Sequence, residues 1–307
     1  MCFQTPDPNR LERRNSMRKK YSWGNFFISL FILIFTLLCL MPMVLTFIVS
    51  ITDESAIMRY GYSFMPKKIS FSAYRLIFRD GSSVIRSYMI SIFVTVVGTL
   101  FAIVITGLTA YTLANKNVKY RNVLGMYFFI PTVFGSGIVP WYLICNMLHL
   151  RNNIFALIIP GLLFNTFNMF LVRNFMSSLP DSLRESAVID GANDIVIAMK
   201  IYFPLTVPAL ATIGLFYGLA YWNDWWNAIM LVENEKLYPI QYLLLQLKSQ
   251  IAMLKDLQYL SGATGMTVPS ESLKMATAIV TIGPIVLLYP FLQKYYVKGL
   301  VVGSVKG

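Results

Sequence analysis

Six apolar runs, each long enough to cross a bilayer as a helix, divide this chain and leave few folds open to it. They are Phe26–Ile51, Ser87–Leu113, Val123–Leu148, Ile154–Val172, Leu205–Val232 and Ala276–Leu292. A hydrocarbon core roughly 30 Å thick takes about 17–25 helical residues to span. Within that core only a helix satisfies its own backbone hydrogen bonds, so each run is predicted to be one transmembrane helix. Composition agrees: 56% of residues are hydrophobic, 13% are charged, and the mean hydropathy is +0.60. A soluble domain of 307 residues has no interior large enough for so much apolar surface. The predicted fold class is an all-α membrane protein with six transmembrane helices.

The first run follows Arg18, Lys19 and Lys20, the order found in a signal peptide. It is longer than the roughly 7–15 residues of a signal's apolar segment and is read as a permanent anchor. The polar residues before Met17 are either a tail or lie ahead of a start at Met17. The net charge of +12 raises the question of nucleic acid, but the basic residues form no patch. They flank the apolar runs, which argues for membrane topology and against a nucleic-acid partner. Six crossings put both termini on one side. The larger share of the 26 lysines and arginines lies before the first run, in 115–122, in 173–200 and in the C-terminal tail. Both termini are therefore expected in the cytoplasm. The expected organisation is a cytoplasmic tail at 1–25, a six-helix transmembrane domain at 26–297 and a cytoplasmic tail at 298–307.

Enzymatic machinery is not legible. Cys2, Cys39 and Cys145 are far apart and form neither a disulfide pattern nor a metal-ligand spacing. The lone His149 and scattered carboxylates offer no triad, zinc site or acid–base pair. No Gly-x-x-x-x-Gly-Lys-Ser/Thr segment is present to bind ATP. The chain is read as a non-enzyme with no cofactor of its own.

Two polar segments fall on the outer side. Residues 52–83 carry charges, Pro66 and aromatics, and residues 233–275 hold Leu243, Leu244, Leu247, Ile251 and Leu254 at helical spacing. That amphipathic stretch either lies on the membrane surface or docks an external protein. The fifth run carries Tyr217, Tyr221, Trp222, Trp225 and Trp226 around Asn223 and Asp224. Aromatic and polar side chains together suit a lined solute path, so Tyr221, Trp222, Asn223, Asp224 and Trp225 are candidates for one. A continuous helix from Leu205 would place Asp224 about 28 Å along, at the outer interface where a tryptophan belt is expected. The belt, or packing between subunits, is the preferred reading. Asp224 is an acid inside an apolar run and so a functional candidate by default. Gly214 and Gly218 form a Gly-x-x-x-Gly pair suited to close helix packing.

Between the fourth and fifth runs lies SLPDSLRESAVIDGANDIVIAMKIYFPLTVPAL, Ser178 to Leu210. It is too polar to cross a membrane and too apolar for a solvated linker. Pro180-Asp181-Ser182 is a helix start, Gly191 a turn, and Pro204 and Pro208 mark entry into the fifth run. The predicted unit is a short helix–turn–helix, with Ala187, Val188, Ile189, Ile195 and Ile197 as exposed apolar residues that either need a protein cover or rest on the lipid surface.

This segment resembles the coupling loop of binding-protein-dependent ABC importer permeases, with its Glu-Ala-Ala, downstream glycine and Ile-x-Leu-Pro. Here it reads Glu185-Ser186-Ala187, Gly191 and Ile201-Tyr202-Phe203-Pro204, with Ser186 and Phe203 departing from the pattern. Pro66–Phe78, Trp222-Asn223-Asp224-Trp225 and Lys294–Gly307 are similar to the carbohydrate permeases of the maltose type, in particular the Gram-positive lipoprotein-linked or polysaccharide permeases. The resemblance implies a type I ABC importer permease fold whose coupling loop spans 178–204. It implies that Glu185 pairs with an ATPase arginine, that Ala187 allows close approach, and that Gly191 makes the turn. Asp190 adds a cap or a second polar contact, and Ser186, Ile201 and Pro204 complete the motif. The implied partners are a second homologous permease subunit in a heterodimer, a cytoplasmic ATPase dimer that binds the ATP, an extracellular solute-binding protein and membrane lipid. The implied cargo is a sugar or oligosaccharide, carried unchanged across a bacterial cytoplasmic membrane. The competing expectation is an ion-coupled secondary carrier. It calls for several buried ionisable residues and inverted halves, where this chain shows essentially one buried acid.

Overall fold

The computed structural model describes residues 23–79, 81–261, 270–284 and 286. Among these residues the regular structure is helical, apart from one antiparallel bridge between Thr52 and Ile69. Helix α1 (Trp23–Ser50) follows the first apolar run, and nearly all its side chains stay exposed; among them only Val49 and Ser50 are buried. The chain then leaves through two short helices, α2 (Glu54–Tyr60) and α3 (Ser72–Ile77). Asp53 starts α2 by accepting a hydrogen bond from the Ser55 amide, an N-cap in its usual role.

The axis of the fold is α4 (Gly81–Ala114), an unbroken helix of 34 residues. At about 1.5 Å per residue it is about 51 Å long, more than a bilayer core requires. One stripe along it is buried: Ser87, Ser91, Val94, Gly98, Ala102, Thr106 and Ala110, at steps of three or four. Most are small, and small residues let neighbouring helices approach closely where lipid offers no hydrophobic drive for association. Helices α7 (Thr166–Met176) and α10 (Val207–Trp222) pack along this stripe.

Three of the expected single spans are broken: the third, the fourth and the fifth. The Val123–Leu148 run forms α5 (Arg121–Val133) and α6 (Ile138–Met147), whose axes differ by 118°. Pro131 lies inside α5, and Gly137 adopts φ +79° at the start of α6. A proline removes one helical hydrogen bond and a left-handed glycine redirects the chain, so the second half doubles partly back. The Ile154–Val172 run is a 3₁₀ turn at Ile154–Leu157, an irregular stretch through Pro160 and Gly161, and then α7. Asn165 restarts the helix by accepting from the Asn168 amide at 3.1 Å.

The segment before the fifth run forms α8 (Ser182–Ile189) and α9 (Asp194–Leu205), the latter with a π turn at Ala198–Tyr202. Between α9 and α10 the axis turns by 87° at Thr206, flanked by Pro204 and Pro208. Helix α10 stops at Trp222 rather than running on to Val232. After a turn, α11 (Trp226–Leu231) begins. Helix α12 (Ile240–Ser261) is the amphipathic stretch, and its first amide, Ile240, donates to Ser91 Oγ of α4 at 2.9 Å. The last described helix, α13, covers 270–284, so the remainder of the sixth apolar run lies outside the described residues, as do both tails.

Among the described residues two helices, Phe26–Ser50 and Gly81–Ala114, are each long and apolar enough to cross a membrane, or up to four spans if each bent pair counts as one. Buried apolar side chains form two clusters. The larger runs along α4, α7, α9 and α10. The smaller joins Ala73, Ile77, Val84, Trp222, Ile240, Leu244, Ile251, Leu273 and Ala276. The apolar face of α12 is thus partly covered by this chain itself: Leu244 and Ile251 are buried, whereas Leu254 is exposed.

Candidate functional site: the coupling loop and the recess beside Asp224

Helix α8 ends in a Schellman turn. The Gly191 amide donates to the Val188 carbonyl at 3.0 Å, and the Ala192 amide reaches back to Ala187 at 2.9 Å. Gly191 sits at φ +79°, a conformation that closes this cap and that side chains with a Cβ rarely adopt. Asn193 then caps α9, its Oδ1 accepting from the Val196 amide at 2.8 Å. The helix–turn–helix expected from the sequence is therefore present, with Gly191 at its corner.

The two helices present a mixed face. Glu185, Ser186 and Asp190 are exposed, as are Val188, Ile189 and Ile195, with Ile189 at 85% and Ile195 at 69%. The expectation that Ala187 and Ile197 also lie open is corrected: both are buried in the larger core cluster. The helical period explains this, since Ala187 falls on the face opposite Glu185 and Ile189. Ile201 is half-buried and Pro204 exposed.

Behind that face is a polar node. Asp194 Oδ1 accepts from the Tyr111 hydroxyl of α4 at 3.0 Å and from the Arg184 guanidinium of α8 at 3.2 Å. Tyr111 is buried and meets the ring of Tyr202 edge-on, centroids 4.9 Å apart. Burial works against the charge on Arg184, yet its contacts with Tyr111 and Asp194 outweigh that cost and raise its pKa above the ordinary value. Lys116, just after α4, pairs with Asp181 at the start of α8.

The aromatic cluster is divided by the end of α10. Tyr217 and Tyr221 are buried within the chain, and so is Trp222. Tyr217 OH lies 2.7 Å from Thr106 Oγ1 and accepts from the Asn165 amide at 2.9 Å. Tyr221 OH donates to the Ile158 carbonyl at 2.8 Å. Trp222 Nε1 donates to the Thr281 carbonyl of α13 at 3.1 Å. These three are packing residues, which corrects the interfacial belt for them; Trp225 and Trp226 remain partly exposed at 43% and 37%.

Asn223 Oδ1 accepts from Gln241 of α12. Asp224 Oδ1 accepts from the amides of Trp226 and Asn227, which starts α11. Its other oxygen, Oδ2, is enclosed without a hydrogen-bond partner among the described residues. Asp224, Trp226 and Asn227 line a recess of about 550 Å³ with Trp141, the Gly135–Gly137 turn and Pro160–Gly161. The breaks in the third, fourth and fifth runs therefore all line this recess.

No family model matches the chain. Over 278 residues it is 36% identical to the polygalacturonan/rhamnogalacturonan transport system permease protein YtcP of Bacillus subtilis (strain 168), covering 90% of this chain and 96% of that protein. The chain belongs to the carbohydrate ABC transport permeases. Protein LplC of the same organism is 36% identical over 260 residues, covering 84% of this chain and 86% of that one. Among solved structures, it superposes with a TM-score of 0.74 and 33% identity on a chain from the crystal structure of a bacterial ABC transporter involved in the import of the acidic polysaccharide alginate. That match covers 90% of this chain and 99% of the other. As an ABC transport permease the chain is not an enzyme, and the ion-coupled carrier is not favoured.

In this permease the structure brings Glu185, Ser186, Asp190 and Gly191 together on one exposed corner. It does not bring Tyr221, Trp222, Asn223, Asp224 and Trp225 to one surface. Sequence reasoning missed Tyr111, Arg184 and Asp194, whose residue types carry no signal until α4 is seen behind the loop. It also missed Glu54. This buried carboxylate accepts from the Glu271 and Ser272 amides at 2.9 and 3.0 Å and from the hydroxyls of Ser270 and Ser272, capping α13 from over two hundred residues away.

Proposed function

We propose that this permease is one half of a heterodimeric transmembrane pathway, partnered by a second homologous permease and driven by a cytoplasmic ATPase dimer that binds the ATP. In this reading six spans cross the bacterial cytoplasmic membrane, both termini face the cytoplasm, and an extracellular solute-binding protein delivers the cargo to the outer segments. The cargo is a sugar or oligosaccharide, passed through without covalent change; the names of the relatives, which include an arabinooligosaccharides transport system permease protein of Bacillus subtilis at 25% identity, support that class.

The observation that carries the reading is the exposed corner formed by Glu185, Val188, Ile189 and Asp190, closed by Gly191 in its left-handed conformation. An apolar patch rimmed by carboxylates on a projecting helix fits a protein surface that offers an arginine, since a guanidinium pairs with a carboxylate in two parallel hydrogen bonds. Asp224 is assigned a structural role, because its Oδ1 is already committed to starting α11. The test is purification of the tagged chain from a native membrane in mild detergent, with identification of what travels with it. Co-elution of an ATPase and a second permease, with ATP-dependent sugar uptake on reconstitution, is expected. A chain that transports sugar alone on an ion gradient would overturn the proposal.

A further inference from the structure

The corner that meets the ATPase is thin. Helices α8 and α9 are joined through four residues, Asp190 to Asn193, with a glycine in the middle. A push on such a corner is lost in bending unless something behind it ties both helices to the body of the fold. Ala187 and Ile197 anchor the helices in the core and Lys116 holds Asp181, but one carboxylate oxygen joins both helices and α4 at a single point. Asp194 is the first residue of α9, and its Oδ1 takes a hydrogen bond from Arg184 of α8 and another from Tyr111 near the end of α4. The Tyr111 ring then meets Tyr202 in the π turn of α9, so the contact is made twice, once through the hydroxyl and once through the ring. Arg184 is largely enclosed, with 18% of its side chain exposed, whereas Asp194 remains 63% exposed and keeps its charge hydrated. An ion pair on an open surface contributes little; one shared with a buried phenol holds a fixed geometry.

We propose that Tyr111, Arg184 and Asp194 are positioning residues that staple both coupling helices to α4, so that displacement of the loop moves α4 instead of flexing the Gly191 turn. Helix α4 is unbroken over 34 residues and carries α7 and α10 along its small-residue stripe. Movement delivered at Tyr111 therefore reaches the whole packed bundle. This staple rests on the reading of the chain as the permease of an ATP-driven importer.

The experiment uses the complete transporter in vesicles, with its ATPase and binding protein, and measures sugar uptake, ATP hydrolysis and subunit recovery together. Tyr111→Phe removes only the hydroxyl and keeps the ring against Tyr202; Asp194→Ala removes the shared acceptor. Both are expected to assemble normally and to hydrolyse ATP within about twofold of wild type. Uptake should fall about tenfold, the scale of losing a hydrogen bond to a charged group, so that ATP used per sugar rises about tenfold. Uptake and hydrolysis falling in step, with an unchanged ratio, would overturn the staple, and so would wild-type values of both. Where a single variant fails to assemble, the reversal Arg184→Asp with Asp194→Arg decides. Recovery of the wild-type ratio supports the staple, and a ratio no better than that of either single change sinks it. A wild-type complex from which no ATPase can be recovered removes the importer reading itself, which is a different result from any of these.

Discussion

The ring of Tyr221 lies flat against the backbone of Gly98, so close that a Cβ at residue 98 would stand 2.5 Å from the ring's Cζ. The tyrosine cannot retreat freely, because its hydroxyl is tied to the Ile158 carbonyl at 2.8 Å. Gly98→Ala is therefore expected to lower stability by about 1–3 kcal/mol, the usual cost of overpacking a tight contact. Adding Tyr221→Leu should restore part of the loss. Thermal unfolding of the purified complex reads both changes, and a Gly98→Ala variant as stable as wild type would show that the helices can part at no cost.

Glu185→Arg reverses the charge on the exposed corner of α8 and sets it against the arginine expected on the ATPase. Co-purification of the ATPase should drop and uptake should be lost, while the permease itself folds, since Glu185 is exposed and makes no ion pair among the described residues. Normal uptake with normal recovery of the ATPase would remove Glu185 from the interface.

Gly191→Val should act through the backbone alone. Nothing stands within 4 Å of a Cβ built there, yet φ is +79°, where a β-branched residue costs of order 1–3 kcal/mol. Gly191→Asn should be milder, because asparagine tolerates the left-handed region. Uptake ranked glycine, asparagine, valine is the expected order, and an indifferent series would mean that the turn is not required.

Asp224 offers a cleaner separation of roles than its sequence position allows. As the start of α11, it should be replaceable by asparagine at little loss, whereas Asp224→Ala should cost about 0.5–2 kcal/mol of stability. Uptake per assembled complex should stay within about twofold for Asp224→Asn. A fall beyond about tenfold with assembly intact would put the carboxylate on the sugar path, since that is the scale of a lost charged hydrogen bond.

Glu54→Ala leaves two amides and two hydroxyls at the head of α13 without their acceptor. A loss of about 3 kcal/mol or more is expected, because buried donors left unsatisfied carry their full desolvation cost. Glu54→Gln should be intermediate. Thermal unfolding of the purified complex is the readout, and an unchanged midpoint in Glu54→Ala would show that α13 is held by other contacts.

What could be read from the sequence was whatever depends on local composition and spacing. The apolar runs located α1, α4 and α10, the helical spacing of Leu244 and Ile251 located α12, and Gly191 marked the turn; that Leu244 and Ile251 pack on this chain itself was not legible. The breaks at Pro131–Gly137 and Pro160–Gly161 were in plain view but not decisive. Hydropathy measures transfer into lipid and not the direction of the backbone, and transmembrane helices tolerate proline and glycine when neighbours satisfy the freed groups. The extension of the fifth run past Trp222 failed for the same reason: Trp225 and Trp226 are apolar enough to continue a span, while Asp224 turns the chain. Partners of Glu54, Arg184 and Tyr111 were invisible because each interaction joins elements that only the fold brings together. Gly98 and Gly107 were also missed. A virtual Cβ on Gly107 would stand 2.5 Å from the Phe203 ring, so the phenylalanine that departs from the family motif has its space in α4 and not in the coupling loop.

Helix α1 stands apart from all of this. Of its described side chains only Val49 and Ser50 are buried, and Ser50 Oγ meets the Tyr74 hydroxyl at 2.9 Å where the helix leaves the bundle. Upstream of that anchor the described residues bury none of the described side chains of α1 and half-cover only Leu45, Thr46 and Ile48. Exchanges among leucine, isoleucine, phenylalanine and methionine there change neither the interior packing of the other helices nor the time-averaged hydropathy that lipid reads. The same exchanges at Ile213 or Leu157, both almost fully enclosed, disturb a filled interior. Over most of α1 the described part of the chain thus specifies a solvent preference, and from α2 onward it specifies a shape.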